Sequence, residues 1–260
     1  MSRASFEALR KARGIFRDYV LDLYFPAHRL TRWQRLRCIP FLFFIEYLVY
    51  RVDAVAENTK RTDLDVDGNA DYDKLVRYKK KFAALLHRMG AYNEAVAFEL
   101  DMGEKYVRLE NKATTRGSAD HDEVLRLAEL RPSDVRLLHG MTFALLGRPV
   151  DDKMLKLMWP VEVLADIGND LLHYEDDVAA GQFNTYDAFV RLYGRAAPQR
   201  LRAEIARYEQ LMHAELEKFP PDERTALTAV CAQRYRSSTE RIPAPQLPGA
   251  AGRAEHERAP

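Results

Sequence analysis

Residues 169–177 have the sequence NDLLHYEDD and carry the most specific pattern of the chain. Asn169, His173 and Asp177 lie four residues apart, so an α-helix, which turns by about 100° per residue, would place all three on one face. A helix face made of an amide, an imidazole and a carboxylate is unsuited to an apolar core, and its oxygen atoms are suited to a hard cation. The segment therefore predicts a helix that carries half of a cation site and needs a second helix to complete it.

Helical periodicity also dominates the rest of the chain, and no run alternates with the two-residue period of a strand. We expect one all-α domain over residues 1–242, a helical bundle around a central cavity, with a helix break at Pro160. The tail from 243 to 260 is rich in Pro, Gly, Ala and charge, which predicts disorder. The main predicted helices span residues 5–24, 32–60, 72–89, 91–111, 133–147, 151–179, 185–195, 198–218 and 222–240.

Composition argues against several classes of function. The 260 residues contain 40 basic and 39 acidic side chains, so no overall basic field favours a nucleic-acid partner. The two cysteines, Cys38 and Cys231, lack metal-ligand spacing, which argues against zinc. The most apolar stretch, residues 38–50, is interrupted by Glu46 and is too short to span a bilayer, so we expect no stable membrane insertion. Because the N-terminal residues have no apolar signal core, we expect a cytoplasmic protein.

A second acidic pattern lies within the predicted helix over residues 32–60. Asp53 and Glu57 are four residues apart, so their carboxylates would project from one helix face. The preceding residues 41–45 have the sequence FLFFI and would form an apolar wall at the same end. This pair is the best candidate for the second half of the cation site.

Together these patterns resemble the two metal motifs of class I terpene synthases. Residues 53–57, DAVAE, are similar to the motif DDxx(D/E), with Ala54 in place of the second Asp. Residues 169–177 are similar to (N/D)Dxx(S/T)xxxE, with His in place of Ser/Thr and Asp in place of Glu. Arg234-Tyr235 resembles the Arg-Tyr pair that many bacterial members carry near the C-terminus. The resemblance covers roughly residues 40–240 and implies the class I isoprenoid synthase fold.

The resemblance also implies a Mg²⁺-dependent diphosphate site, which holds three ions in that family. Hard Mg²⁺ ions with oxygen ligands neutralise a diphosphate leaving group. The implied metal ligands are Asp53, Glu57, Asn169, His173 and Asp177, and all but His173 form the implied catalytic set. The implied diphosphate contacts are Arg126, Arg234, Tyr235 and His173, with Arg131 and Arg136 as alternatives to Arg126. Arg126 also has the spacing for a surface ion pair with Glu123 or Glu129.

The implied reaction is that of a terpene cyclase, and the resemblance also implies a homodimer. It would ionise a linear prenyl diphosphate, farnesyl or geranylgeranyl diphosphate, and cyclise the allylic cation with release of diphosphate. Aromatic faces would stabilise this cation by roughly 0.5–2 kcal/mol each. The aromatic residues near the motifs, which we expect to line the cavity or else to pack in the core, are Phe43, Phe44, Tyr47, Phe98, Phe143 and Trp159.

Two alternatives stay open at this point. Residues 47–58, YLVYRVDAVAEN, also resemble the first acidic motif of squalene and phytoene synthases, which share the fold. A prenyl transferase or condensing enzyme of that kind would use a second acidic pair, either Asp166 and Asp170 or Asp176 and Asp177. The departures at Ala54 and His173 are instead compatible with a non-catalytic helical binding protein.

Overall fold

The structure, a computed structural model, describes residues 3–60, 72–116 and 119–247, and side chains over 8–50, 72–113 and 119–247. Every regular element in these ranges is a helix, which confirms the all-α prediction. A π-helix spans Phe16–Tyr24 and a short 3-10 helix spans Gly194–Ala196. The α-helices are α1 (Arg3–Ile15), α2 (Phe25–Ala27), α3 (Arg32–Lys60), α4 (Tyr72–Arg88), α5 (Glu94–Arg116), α6 (His121–Leu130), α7 (Ser133–Leu146), α8 (Asp152–Leu172), α9 (Tyr174–Ala180), α10 (Thr185–Tyr193), α11 (Ala197–Leu216) and α12 (Pro221–Thr239).

Helix α8 runs through the centre of the molecule. It packs against α11 and α12, while α7 packs against α3 and α5. Apolar residues lie on all sides of α8, and Leu157, Val161 and Leu164 are fully buried. A helix that is apolar all round is stable only when neighbours cover it on every side. The apolar neighbours therefore carry Glu162 and Asp170 into the interior, whereas Asp152, in the first turn of α8, is exposed.

The predicted break at Pro160 is wrong, because α8 continues through this residue from Asp152 to Leu172. Proline removes one backbone hydrogen bond and normally bends a helix, but Pro160 is buried and α8 is held between α11 and α12. Gly168 marks the tightest contact of this packing. A Cβ placed on Gly168 would lie 2.8 Å from the Cβ of Ser238 on α12.

The helix break occurs instead at His173, so the prediction that one helix carries residues 169–177 is also wrong. Leu172 and His173 are exposed where α8 leaves the core. The next residue, Tyr174, is buried again, and its ring lies 4.7 Å from the ring of Tyr186. The turn at His173, with φ −107° and ψ 11°, lets the chain bring Tyr174 back into the core.

Two further findings concern order and membrane crossing. Residues 243–247, the start of the predicted disordered tail, lie against the helices: the backbone N–H of Gln246 donates to the Tyr174 hydroxyl at 2.9 Å, and Leu247 packs on the core. Residues 248–260 lie outside the described residues. Across the described ranges, none of the helices has the length and apolar character needed to cross a membrane.

Candidate functional site

A ladder of three acidic residues runs along the buried length of α8. Glu162, Asp166 and Asp170 are spaced four residues apart, so they occupy one side of a continuous helix. Glu162 and Asp170 are almost completely buried. Carboxylates at such positions require partners, because burying an unpaired charge is costly. The sequence signal for this ladder is the i, i+4 spacing of acids within a largely apolar stretch of helix, and the sequence prediction included Asp166 and Asp170 but not Glu162.

Arg131, in the turn between α6 and α7, is the cationic partner of Asp166 and Asp170, which we call the lower ladder. Its Nη1 donates to Oδ1 of Asp170 at 2.6 Å, and its Nε lies 3.4 Å from Oδ2 of Asp166. The second oxygen of Asp170 accepts from the backbone N–H of Thr185 at 2.7 Å. Both oxygens of Asp170 are therefore engaged, and Asp170 ties α8 to Arg131 and to the start of α10.

Asp166 is less well satisfied than Asp170. Its buried Oδ2 has no hydrogen bond among the described residues, since the approach of Arg131 is an ion pair without hydrogen-bond geometry. Burial raises the pKa of this carboxyl to about 7, and Arg131 only partly opposes that effect. A buried carboxylate oxygen without a donor is suited to a cation or to a ligand that carries a donor.

Glu162, at the upper end of the ladder, is held by two donors. The Tyr24 hydroxyl donates to Oε1 at 2.7 Å, and Nε of Arg136 donates to Oε2 at 2.9 Å. Arg136 also donates through Nη1 to the backbone oxygen of Glu129 at 2.7 Å. Burial raises the pKa of Glu162, and the Arg136 guanidinium lowers it in part. Both oxygens of Glu162 are therefore engaged, although Nη2 of Arg136 is buried without a hydrogen bond among the described residues, and this end of the ladder serves mainly to orient α7 against α8.

Two further buried acids face the same interior from α3 and α5. Glu46 is completely buried, and neither of its oxygens has a hydrogen bond among the described residues. Burial, followed by the charge of Asp134, raises its pKa well above the usual value. Burial also raises the pKa of Glu99 to about 8, and Glu162 and Asp134 add to this effect. Acids from α3, α5, α7 and α8 thus interact electrostatically within one polar interior.

A surface groove of about 240 Å³ lies next to the lower ladder, between the π-helix, α8 and α12. It brings together Asn169 and Arg234, two predicted site residues that are far apart in sequence. The guanidinium of Arg234 lies 4.1 Å from the centre of the Tyr19 ring, and its buried Nε has no hydrogen bond among the described residues. Asp18 and Asp22 also line this groove. Sequence reasoning missed them because the π-helix that presents them was not predicted.

The structure does not bring the remaining second-motif residues to this groove. His173 is exposed, and its Nδ1 lies 3.0 Å from the backbone oxygen of Asn169. Asp177 lies on α9, where its Oδ2 accepts from the Asn184 amide at 2.8 Å. Because α8 ends at Leu172, the predicted single helix face of Asn169, His173 and Asp177 does not form.

Four other predicted residues are placed as follows. Arg126 is exposed on α6, and its Nη1 lies 3.5 Å from Oε2 of Glu129, as the surface alternative predicted. Tyr235 is buried and donates to Oε1 of Glu209 at 3.1 Å rather than lying in the groove beside Arg234. Asp53 and Glu57 belong to α3, but their side chains lie outside the described residues.

The six aromatic candidates do not share one wall. Phe44 and Phe98 are exposed, so these two do not line an interior cavity. The other four are Phe43, packed edge-on against Phe16; Tyr47, half-buried; Phe143, buried beside His28 and His139; and Trp159, packed against Tyr208. Most of these aromatics serve packing between helices.

A divalent cation fits this region only in part. Among the described residues, no group of three or more His, Cys, Asp or Glu side chains lies close enough to hold a metal. Asp166, like Glu46 and Glu99, offers a buried carboxylate oxygen that lacks a donor among the described residues, and Asp166 is the one of the three that lies one turn from a second acid of α8. The side chains of Asp53 and Glu57, the metal ligands that the resemblance implies on α3, lie outside the described residues.

Comparisons with known proteins give this chain no family. No family model, no curated protein and no solved structure matches it.

Proposed function

We propose that this chain is a Mg²⁺-dependent enzyme that acts on prenyl diphosphates, and that it joins prenyl units as a condensing enzyme does. The observation that carries the proposal is the pair Asp166 and Asp170, one turn apart on the buried side of α8, with Arg131 between them. A condensing enzyme of this kind would need a second acidic pair in addition to the first, which here would be Asp53 and Glu57. Its cytoplasmic location and its assembly as a homodimer stay predictions.

Each residue has a distinct task in this proposal. Asp166 would hold a Mg²⁺ ion together with the pair on α3, and Mg²⁺ when bound would neutralise the charge of the diphosphate leaving group. Arg131 would donate charge-assisted hydrogen bonds to diphosphate oxygens. Asp170 would orient Arg131 through the bond at 2.6 Å. The apolar packing of α8 would keep water from the reacting carbon.

A terpene cyclase is the second candidate, and one observation favours it. Asn169 and Arg234, from the two motifs that resemble the cyclases, line the same groove. In that case the diphosphate would lie in the groove, where Asn169 and the guanidinium of Arg234 would contact its oxygens. His173 and Asp177 do not line this groove, and their absence from it argues against the cyclase.

The test is incubation of the purified full chain with geranyl, farnesyl and geranylgeranyl diphosphates, with Mg²⁺ or with EDTA. Released diphosphate and organic products are quantified together. Two prenyl units consumed for each product molecule would support condensation. A cyclic product from one prenyl unit would support the cyclase instead. No diphosphate release, together with no Mg²⁺-dependent thermal shift on adding a prenyl diphosphate, would refute both and leave a binding protein.

Two isosteric variants identify the site. Asp166→Asn should reduce kcat/KM by at least about a hundredfold, because it removes a charged metal ligand while keeping the shape. Glu175→Gln is the matched control, since Glu175 is an exposed acid on α9 close to the same motif. Equal activity of the two variants would contradict the assignment of Asp166.

A further inference from the structure

Over residues 33–45, helix α3 carries apolar side chains on both its inner and its outer face. Its inner face packs into the core through Cys38, Leu42 and Ile45, all fully buried. Its outer face nevertheless carries large apolar side chains, and Trp33 is 81% exposed. A helix with one face against its own protein normally turns a polar face outward.

The exposed apolar side chains of α3 lie on one side of the helix, with the exposed Arg37 among them. At about 100° per residue, they fall within roughly 140° of the helix circumference and extend about 16 Å along it. Elsewhere in the described residues, Phe98 and Leu211 are examples of exposed apolar side chains on other helices, α5 and α11. Single exposed side chains are ordinary, whereas a contiguous patch marks an interaction surface. We call these side chains the α3 strip; its members are Trp33, Leu36, Pro40, Phe41 and Phe44.

Basic residues are concentrated in the part of the chain that carries the α3 strip. Residues 8–45 contain eight Lys or Arg and two Asp, although the whole chain has a net charge of only +1. The two acids of this range line the groove against α8 and α12. Six of these basic residues are exposed without an ion pair to Asp18 or Asp22: Arg29 in the turn before α3, Arg32 and Arg37 on α3, and Arg10, Lys11 and Arg13 on α1, which packs against α3. The seventh exposed one, Arg17 of the π-helix, is paired with Asp18. The strip therefore lies in a local positive field that the balanced net charge conceals.

We propose that the α3 strip docks this protein onto the surface of an anionic phospholipid membrane. Indole, phenyl and leucine side chains insert at the boundary of headgroups and acyl chains, and flanking arginines attract anionic headgroups. A nucleic acid would match the arginines but would leave much of the apolar strip without a partner. The strip would lie in the interface parallel to the membrane, because its opposite face is occupied by the protein core. This inference does not depend on the proposed reaction.

Trp33 provides a direct reporter of docking. The chain has two tryptophans, and Trp159 is half-buried, so Trp159→Phe leaves Trp33 as the single indole. The emission of Trp33 should be that of a solvated indole in buffer. It should shift to shorter wavelength on adding vesicles of mixed phosphatidylcholine and phosphatidylserine, but not vesicles of phosphatidylcholine alone. Raised salt should reverse the shift, because the attraction between the arginines and the headgroups is screened.

Co-sedimentation with the same vesicles separates the apolar and electrostatic contributions. In the chain with both tryptophans, the double change Trp33→Ser and Phe44→Ser should weaken binding at least about tenfold. The triple change of Arg29, Arg32 and Arg37 to Gln should weaken it on the order of a hundredfold, at about fivefold for each arginine. The double change Phe98→Ser and Leu211→Ser, at exposed positions on other helices, is the matched control and should bind as the unchanged protein does.

Three results would overturn the inference. The first is a Trp33 emission already typical of a buried indole without vesicles, which would mean that a second copy or another part of the chain covers the strip. The second is equal binding to both kinds of vesicle at all salt concentrations. The third is equal loss of binding in the strip variant and in its control.

Discussion

Two overlapping polar patterns within residues 162–177 lie in different environments, one inside the helix packing and one beyond its end. The ladder of Glu162, Asp166 and Asp170 and the triad of Asn169, His173 and Asp177 have the same four-residue spacing. The ladder lies on a helix that packs on all sides, so its acids share one buried face. The triad extends past Leu172, where the helix ends, so its members separate. Spacing alone therefore identifies a helix face only while tertiary contacts keep the helix continuous.

The largest expected difference between the two patterns is in folding stability. Asp170→Ala should lower the free energy of unfolding by about 3–5 kcal/mol, because it leaves the Arg131 guanidinium and the Thr185 N–H without their buried acceptor. Asp177→Ala removes only the bond from Asn184 and should cost about 0.5–1.5 kcal/mol. Urea unfolding of both variants measures the difference. Similar losses would show that the two patterns are equally integrated in the core.

The contact between α8 and α12 provides the second test, because it fixes the position of the ladder. Gly168→Ala should destabilise the protein by about 1–3 kcal/mol, since the new methyl group would overlap Ser238. Gly14→Ala is the matched control. Gly14 lies in α1 with nothing within 4 Å of its Cβ position, so alanine there should stabilise by about 0.5–1 kcal/mol. Thermal unfolding of the pair checks both signs, and a stabilising Gly168→Ala would mean that α8 shifts freely.

The third test uses pH. The pKa of Asp166 is about 7 in the folded protein, above its usual value of 3.8. Its contribution to stability is therefore fully present below pH 3.8 and is lost as the pH rises through 7. Asp166→Asn should abolish this loss and make the variant more stable than the unchanged protein at alkaline pH, by about 1–3 kcal/mol. Unfolding midpoints across the pH range test this, and a variant that is less stable at alkaline pH would contradict the environment assigned to Asp166.

The smallest effect is expected at the point where the triad breaks. His173 is exposed and contacts only the backbone oxygen of Asn169 in the described structure. His173→Ala should therefore change stability by less than about 0.5 kcal/mol. It should also leave turnover unchanged if the ladder is the functional pattern. A strong loss of turnover in this variant, with folding intact, would restore the triad and favour the cyclase.

Much of this architecture could be predicted from residue types. The break between α4 and α5 near Gly90 and the extents of α10, α11 and α12 follow the predicted helices within a few residues, because apolar periodicity and turn residues are local signals. The same local rules misplace the break in α8. They assign it to Pro160, whose missing hydrogen bond is offset by packing, and they overlook His173, whose turn serves to bury Tyr174.

The partners of the charged residues could not be predicted in the same way. Arg126 was favoured by spacing from the second motif, yet it pairs with Glu129 on its own helix. Arg131 and Arg136, the alternatives, are the arginines that reach α8. Which arginine reaches a carboxylate depends on the rotation and end point of α6 and α7, and these are set by contacts with other helices.

The sequence by itself determined that this protein is helical, that α8 and α3 carry acids at one-turn spacing, and that basic residues gather near its beginning. These are properties of neighbouring residues, so local periodicity and composition are enough to define them. Only the tertiary structure decided which acids are buried, which oxygen of Asp166 lacks a donor, and which apolar face of α3 is exposed. Burial and partnership depend on residues far apart in the chain, because desolvation and hydrogen bonding are determined by the helices that pack against each side chain.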